Sequence, residues 1–138
     1  MVTYWDASAL VPLVVREATT ELYTKIAKQT QIVTWWGSYL ECTSAIARLA
    51  RRGSAQAQVA ESYRMLELLA GEWREIGSSE KLRRAAARTL KTHVLRTSDA
   101  LQLGAAIIAS GFEPHTARFV GEDKHLRQAA DREGFVVG

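Results

Sequence analysis

Hydrophobic positions along this chain alternate between two kinds of stretch, short bulky runs and longer segments in which apolar residues recur every three to four positions. Val2, Tyr4 and Trp5 form a strand-favouring run that stops at a carboxylate, Asp6, with small Ala7 and Ser8 directly behind it. The apolar segment that follows reads as a short helix, broken or bent at Pro12 because the ring removes a helical hydrogen bond. Over residues 17–28, Ala18, Leu22 and Ile26 keep helical spacing between polar neighbours, which predicts an amphipathic helix. Ile32, Val33, Trp35 and Trp36 predict a second strand closed by Gly37. Ser38 then opens a helix through Leu40, Ile46 and Leu49 that stops at Gly53, and Val59, Tyr63, Leu66 and Ala70 mark another that ends at Gly71.

Residues 73–76 read as a short third strand, after which Ser78 or Ser79 caps a helix carrying Leu82, Ala86 and Leu90 on one face. Thr97 and Ser98 open a helix that is apolar nearly all round and contains Gly104. It is expected to be buried, with another element packed closely against it. Residues 117–120 predict a fourth strand, Leu126 and Ala129 a helix running to Gly134, and residues 135–137 a last strand. Strands alternating with helices imply an α/β fold, a three-layer α/β/α sandwich around a central parallel sheet of four to five strands.

The length of 138 residues suits a single domain, 1–138, with a core of its own. The apolar run near residues 101–109 is too short to span a bilayer. Asp6 interrupts the opening apolar run too early for a secretion signal, so no membrane association and a cytoplasmic location are expected. Cys42 is the only cysteine, which excludes an internal disulfide and a thiolate zinc cage and leaves it as a small core residue. A net charge of +3 permits a polyanionic partner, with cations gathered at Arg48, Arg51 and Arg52 and again between Lys81 and Arg96.

Candidate chemistry lies in the acids. Asp6, Glu41, Asp99 and Asp123 fall at strand-to-helix junctions or in the first turns of helices, and in open parallel sheets ligands bind outside the strand tips. Each acid also has a structural explanation: Asp6 and Asp123 as N-caps, Ser38 with Glu41 as a capping box, and Asp99 as a charge favoured near a helix N-terminus. The surroundings of Asp99 and Glu41 are apolar, however, and buried carboxylates remain ionised together when they share divalent cations. Oxygen donors without histidine or thiolate select Mg²⁺ or Mn²⁺, and phosphodiester cleavage uses such ions to activate water. Nucleotide-binding glycine loops, H-E-x-x-H and G-x-S-x-G are absent. His93, His115 and His125 are scattered and read as surface or helix-end residues. The tryptophans read as core, with Trp36 near a strand tip as a candidate for stacking on a base.

The segments YWDASAL, SYLECTSAIARL, LRTSDALQLGAA and FVGEDKHLRQAADREGF resemble, in order and spacing, the PIN-domain ribonucleases, and most nearly the VapC-type toxins of toxin–antitoxin pairs. The resemblance implies an acidic pocket at the strand ends that binds Mg²⁺ or Mn²⁺. Asp6, Asp99 and Asp123 would hold the metal, and Glu41 would bind or orient the attacking water. Ser8 matches the small hydroxyl residue after the first acid, and Arg48, Arg51 and Lys124 are candidates to guide the RNA backbone. Two positions depart from the pattern: Gly121 stands where many relatives carry Ser or Thr, and Gln102 where they often carry His. Expected partners are an RNA substrate, a cognate antitoxin covering the pocket and a second copy in a homodimer. The alternatives are a PIN-like binding module without catalysis and an aspartyl-phosphate phosphohydrolase of the haloacid-dehalogenase type. Enzymes of the latter type place a second Asp where this chain has Ser8.

Overall fold

Five short strands form in a computed structural model that describes residues 1–138: β1 (Val2–Trp5), β2 (Val33–Trp35), β3 (Arg74–Ile76), β4 (Ala117–Val120) and β5 (Val136–Val137). They lie in one sheet in the order β3-β2-β1-β4-β5, with every pair parallel. Seven helices connect them: α1 (Ala7–Val14), α2 (Thr20–Ala27), α3 (Ser38–Arg51), α4 (Gln56–Glu72), α5 (Glu80–Thr92), α6 (Thr97–Ala109) and α7 (Lys124–Glu133). The chain builds outward from β1 to one side through β2 and β3, then returns to place β4 on the other side. The β1–β4 boundary is therefore the point where the winding reverses, and a crevice opens beyond the tips of those two strands.

Side chains on the central strands alternate between two cores. Tyr4 and Phe119 enter a cluster with Leu82, Leu103 and Leu126 from α5, α6 and α7. Trp5 and Val120, one residue further along, enter the other cluster with Leu10, Ile46 and Leu66 from α1, α3 and α4. The result is an α/β/α sandwich, and no helix is long and apolar enough to cross a membrane. Cys42 is fully buried in the second cluster, where burial pushes its thiol up to about 12.

Some boundaries differ from the sequence expectation. The helix does not break at Pro12: α1 continues to Val14, forgoing only the bond that a residue-12 amide would give the Ser8 carbonyl. The next helix begins at Thr20 rather than at residue 17, because the Thr20 hydroxyl accepts from the Glu17 amide (2.9 Å) and donates to the Pro12 carbonyl (2.7 Å), fixing a turn between the two helices. Trp36 lies outside β2 and is exposed, and α4 runs through Gly71 to Glu72.

Gly104 meets the expectation of close packing. A Cβ there would stand 2.9 Å from the backbone nitrogen of Ala86, so α5 and α6 approach backbone to backbone. Gly71 has open space around it. We therefore expect Gly104→Val to destabilise the chain by about 3 kcal/mol through overpacking. Gly71→Ala is expected to stabilise it by up to about 1 kcal/mol through helix propensity. Urea unfolding midpoints of the two variants check both signs.

Candidate functional site

The acidic site grows out of the junction at the end of β1. The Asp6 amide still pairs with the Val120 carbonyl of β4 (2.9 Å), while its own carbonyl accepts from Ala9 (3.0 Å) and begins α1. Its side chain, only 4% exposed, accepts from the Ser8 amide (3.3 Å) and the Ser8 hydroxyl (2.5 Å), both on Oδ2. The Ser8 hydroxyl oxygen in turn accepts from the Glu122 amide (2.8 Å), tying the loop after β4 to the loop after β1. Gly121 makes that approach possible, because a Cβ there would lie 3.3 Å from the Asp6 Cβ and 3.4 Å from Oδ2. Position 121 offers no hydroxyl to the site, and the main chain of Glu122 donates to Ser8.

Asp6, Ser8, Glu41, Asp99 and Asp123 all line one open cavity of about 570 Å³ at the crevice. Asp123 caps α7, accepting from the Leu126 amide on Oδ1 (2.9 Å). Asp99 sits in the first turn of α6, with the Arg96 guanidinium 3.5 Å from Oδ2. Glu41 does not form a capping box with Ser38. Ser38 begins α3 behind Gly37 and its hydroxyl is engaged by buried Thr34 and Gln102, so Glu41 is released to accept from Gln102 Nε2 (2.6 Å) on Oε2. Each of the four acids thus uses one carboxylate oxygen within the protein and leaves the other without a protein donor.

Arg48 joins the cavity wall, but Arg51 does not. Positions 41, 45, 48 and 52 recur at helical spacing on the face of α3 toward the cavity, so Arg52 occupies the place anticipated for Arg51. Lys124, exposed at the start of α7, faces a different cavity shared with Arg127 and Asp131. Arg52, Arg96, Ser98, Glu17 and Glu122 also line the acidic cavity and were not singled out as site residues. Helical spacing from Glu41 identifies Arg52, and the three-residue step to Asp99 identifies Arg96, whereas nothing local marks Glu17.

Burial is the main cause that pushes the Asp6 carboxyl up to about 7, with Glu41 and Asp99 adding like charge against the lowering donors of Ser8. Glu41 is also raised, by burial first and then by Asp99, while Gln102 and Arg96 pull it down. Glu17 is raised by burial and by Glu122, and the Tyr23 hydroxyl, which donates to Glu122 (3.1 Å), is pushed up to about 12. As placed, no three of the acids close to metal-ligand spacing. The donor set nevertheless fits Mg²⁺ or Mn²⁺: hard oxygens only, with free lone pairs around a cavity. Mg²⁺ ordinarily takes one or two carboxylates and completes its shell with water.

No family model and no curated protein matches the chain. Among solved structures, the crystal structure of PAE2754 from Pyrobaculum aerophilum matches 99% of this chain and 83% of its own, with a TM-score of 0.64 and 20% sequence identity. At that identity, what the two chains share is the fold.

Because Asp6 titrates near 7 folded and near 3.8 unfolded, the folded chain holds the extra proton between those values. Its stability therefore falls as pH rises through that window. At about 1.4 kcal/mol per unit, the cost above pH 7 is on the order of 4 kcal/mol. In chelator, Asp6→Asn is expected to unfold at a higher temperature than the parent at pH 8 and to lose that advantage at pH 4. A parent chain whose stability is flat across this interval would contradict the assignment.

Proposed function

We propose that this chain is a Mg²⁺- or Mn²⁺-dependent endoribonuclease of the VapC toxin type, acting in the cytoplasm on an RNA substrate and paired with an antitoxin that covers its pocket. The observation that carries the reading is the convergence of Asp6, Glu41, Asp99 and Asp123 on one cavity, each with an unengaged carboxylate oxygen. The resemblance of the four sequence segments to PIN-domain ribonucleases supports it.

In this reading Asp6, Asp99 and Asp123 hold the metal directly or through water. Bound there, a divalent ion supplies an activated water and neutralises charge on the leaving oxygen. Glu41, lining the same cavity, orients the attacking water and takes up its proton. Arg48 and Arg52 on the rim counter the phosphate charge without reading the base sequence. Ser8 shapes the site from behind by fixing which oxygen of Asp6 faces the cavity. By resemblance, the products carry a 5′-phosphate and a 3′-hydroxyl, and a homodimer sets two such cavities side by side.

Cleavage of a labelled single-stranded RNA is expected to require Mg²⁺ or Mn²⁺, to stop in chelator and to return on readdition. Asp6→Asn and Asp99→Asn should fall to background while remaining folded by circular dichroism. Glu41→Gln should lower the rate by about 100- to 10,000-fold. Full activity in either Asp variant, from a preparation free of other nucleases, would contradict the proposal.

A further inference from the structure

Behind the acidic cavity lies a hydrogen-bond network that no surface feature reveals. We infer that Gln102 is a positioning residue that holds the Glu41 carboxylate in one orientation, a role that rests on the nuclease reading above. Gln102 is 1% exposed and stands among the apolar residues of α6, three positions after Asp99 on the same helix face. An amide buried so completely has to satisfy its polar atoms within the protein, and here it does so at both ends.

The direction of every bond in the network follows from its far end. The Trp5 carbonyl can only accept, so the Thr34 hydroxyl donates to it (2.8 Å). Thr34 Oγ1 is then left to accept from the Ser38 hydroxyl (2.6 Å). Ser38, its hydrogen committed, accepts from Gln102 Nε2 (3.1 Å). The second hydrogen of that nitrogen goes to Glu41 Oε2 (2.6 Å), and Gln102 Oε1 accepts from the Tyr4 hydroxyl (2.6 Å).

Turning the amide over would set its oxygen against the Glu41 carboxylate and against a Ser38 oxygen whose hydrogen is already used. The network therefore permits one orientation of Gln102, which presents an N–H to Glu41. With Oε2 held, Glu41 keeps Oε1 as the oxygen free to meet a water. Tyr4, Thr34, Ser38 and Trp5 are buried, so no solvent competes for the bonds behind Gln102, and only its bond to Glu41 borders the cavity. The same links join β1, β2, α3 and α6, the elements that carry or adjoin Asp6, Glu41 and Asp99.

The test uses the full chain and two readouts. In metal-free protein, ¹⁵N spectra are expected to show the Gln102 side-chain amide protons in slow exchange and displaced by Glu41→Gln. Fast exchange, or no response to that substitution, would overturn the role. In cleavage assays with saturating Mn²⁺, Gln102→Met is expected to lower kcat by about 10- to 100-fold with KM unchanged. Tyr4→Phe, which removes one oxygen and leaves the amide in place, should lower kcat by a smaller factor. If Gln102→Met and Tyr4→Phe keep the parental kcat beside an inert Asp6→Asn, the positioning role falls and the nuclease reading stands. If the parent itself cleaves no RNA, both fall together.

Discussion

A buried carboxylate facing other carboxylates is costly unless a positive charge joins them, and the end of β1 is built around that cost. Asp6 lies almost out of reach of water, with Glu41 and Asp99 near enough to oppose its ionisation. Two donors from Ser8 offset part of the penalty and leave its proton held to about neutral pH. A protein that needed only a helix cap at this position would be served equally by Ser or Asn. Retaining an acid there makes sense for a function that uses its negative charge, as a divalent ion would.

The architecture makes this meeting possible. In a parallel sheet every strand points its C-terminal end the same way, and the winding reverses between β1 and β4, so their following loops bound an open crevice instead of a packed crossover. Asp6 and Asp123 come from those two loops. Glu41 and Asp99 reach the same space from the first turns of α3 and α6, which lie on opposite faces of the sheet. Clusters on both faces hold the helices that deliver the acids. The Tyr4–Gln102–Ser38–Thr34 network runs between them at the strand tips, where the apolar cores end and polar groups still have to be satisfied.

Much of the fold was legible in the chain because its signals are local. Bulky runs such as Val2–Trp5 and Ala117–Val120, and the helical spacing around Gly104, depend on neighbours within a few residues. The acids were legible for a similar reason: each follows a strand or opens a helix, and strand tips in a parallel sheet share one edge. Part of what escaped depends on distant groups. Pro12 reads as a break or a bend, and α1 runs on through it with one bond missing. Ser38 and Glu41 have the spacing of a capping box, but Thr34, just ahead of the helix, engages the first side chain and Gln102, remote in sequence, the second. Arg51 and Arg52 differ by 100° around a helix, and only the second lies on the face that Glu41 defines. Gln102 departs from the pattern the chain resembles, and its buried amide is satisfied in part by Tyr4, 98 residues away.

Direct observation of a divalent ion among these acids would test the central claim more closely than any rate. Anomalous scattering from crystals of the parent chain grown with Mn²⁺ is expected to give a peak in the cavity, in contact with carboxylate oxygens of Asp6 and Asp99, that vanishes in Asp6→Asn. A map with no peak in that cavity, or with manganese bound only at surface acids elsewhere, would contradict the account.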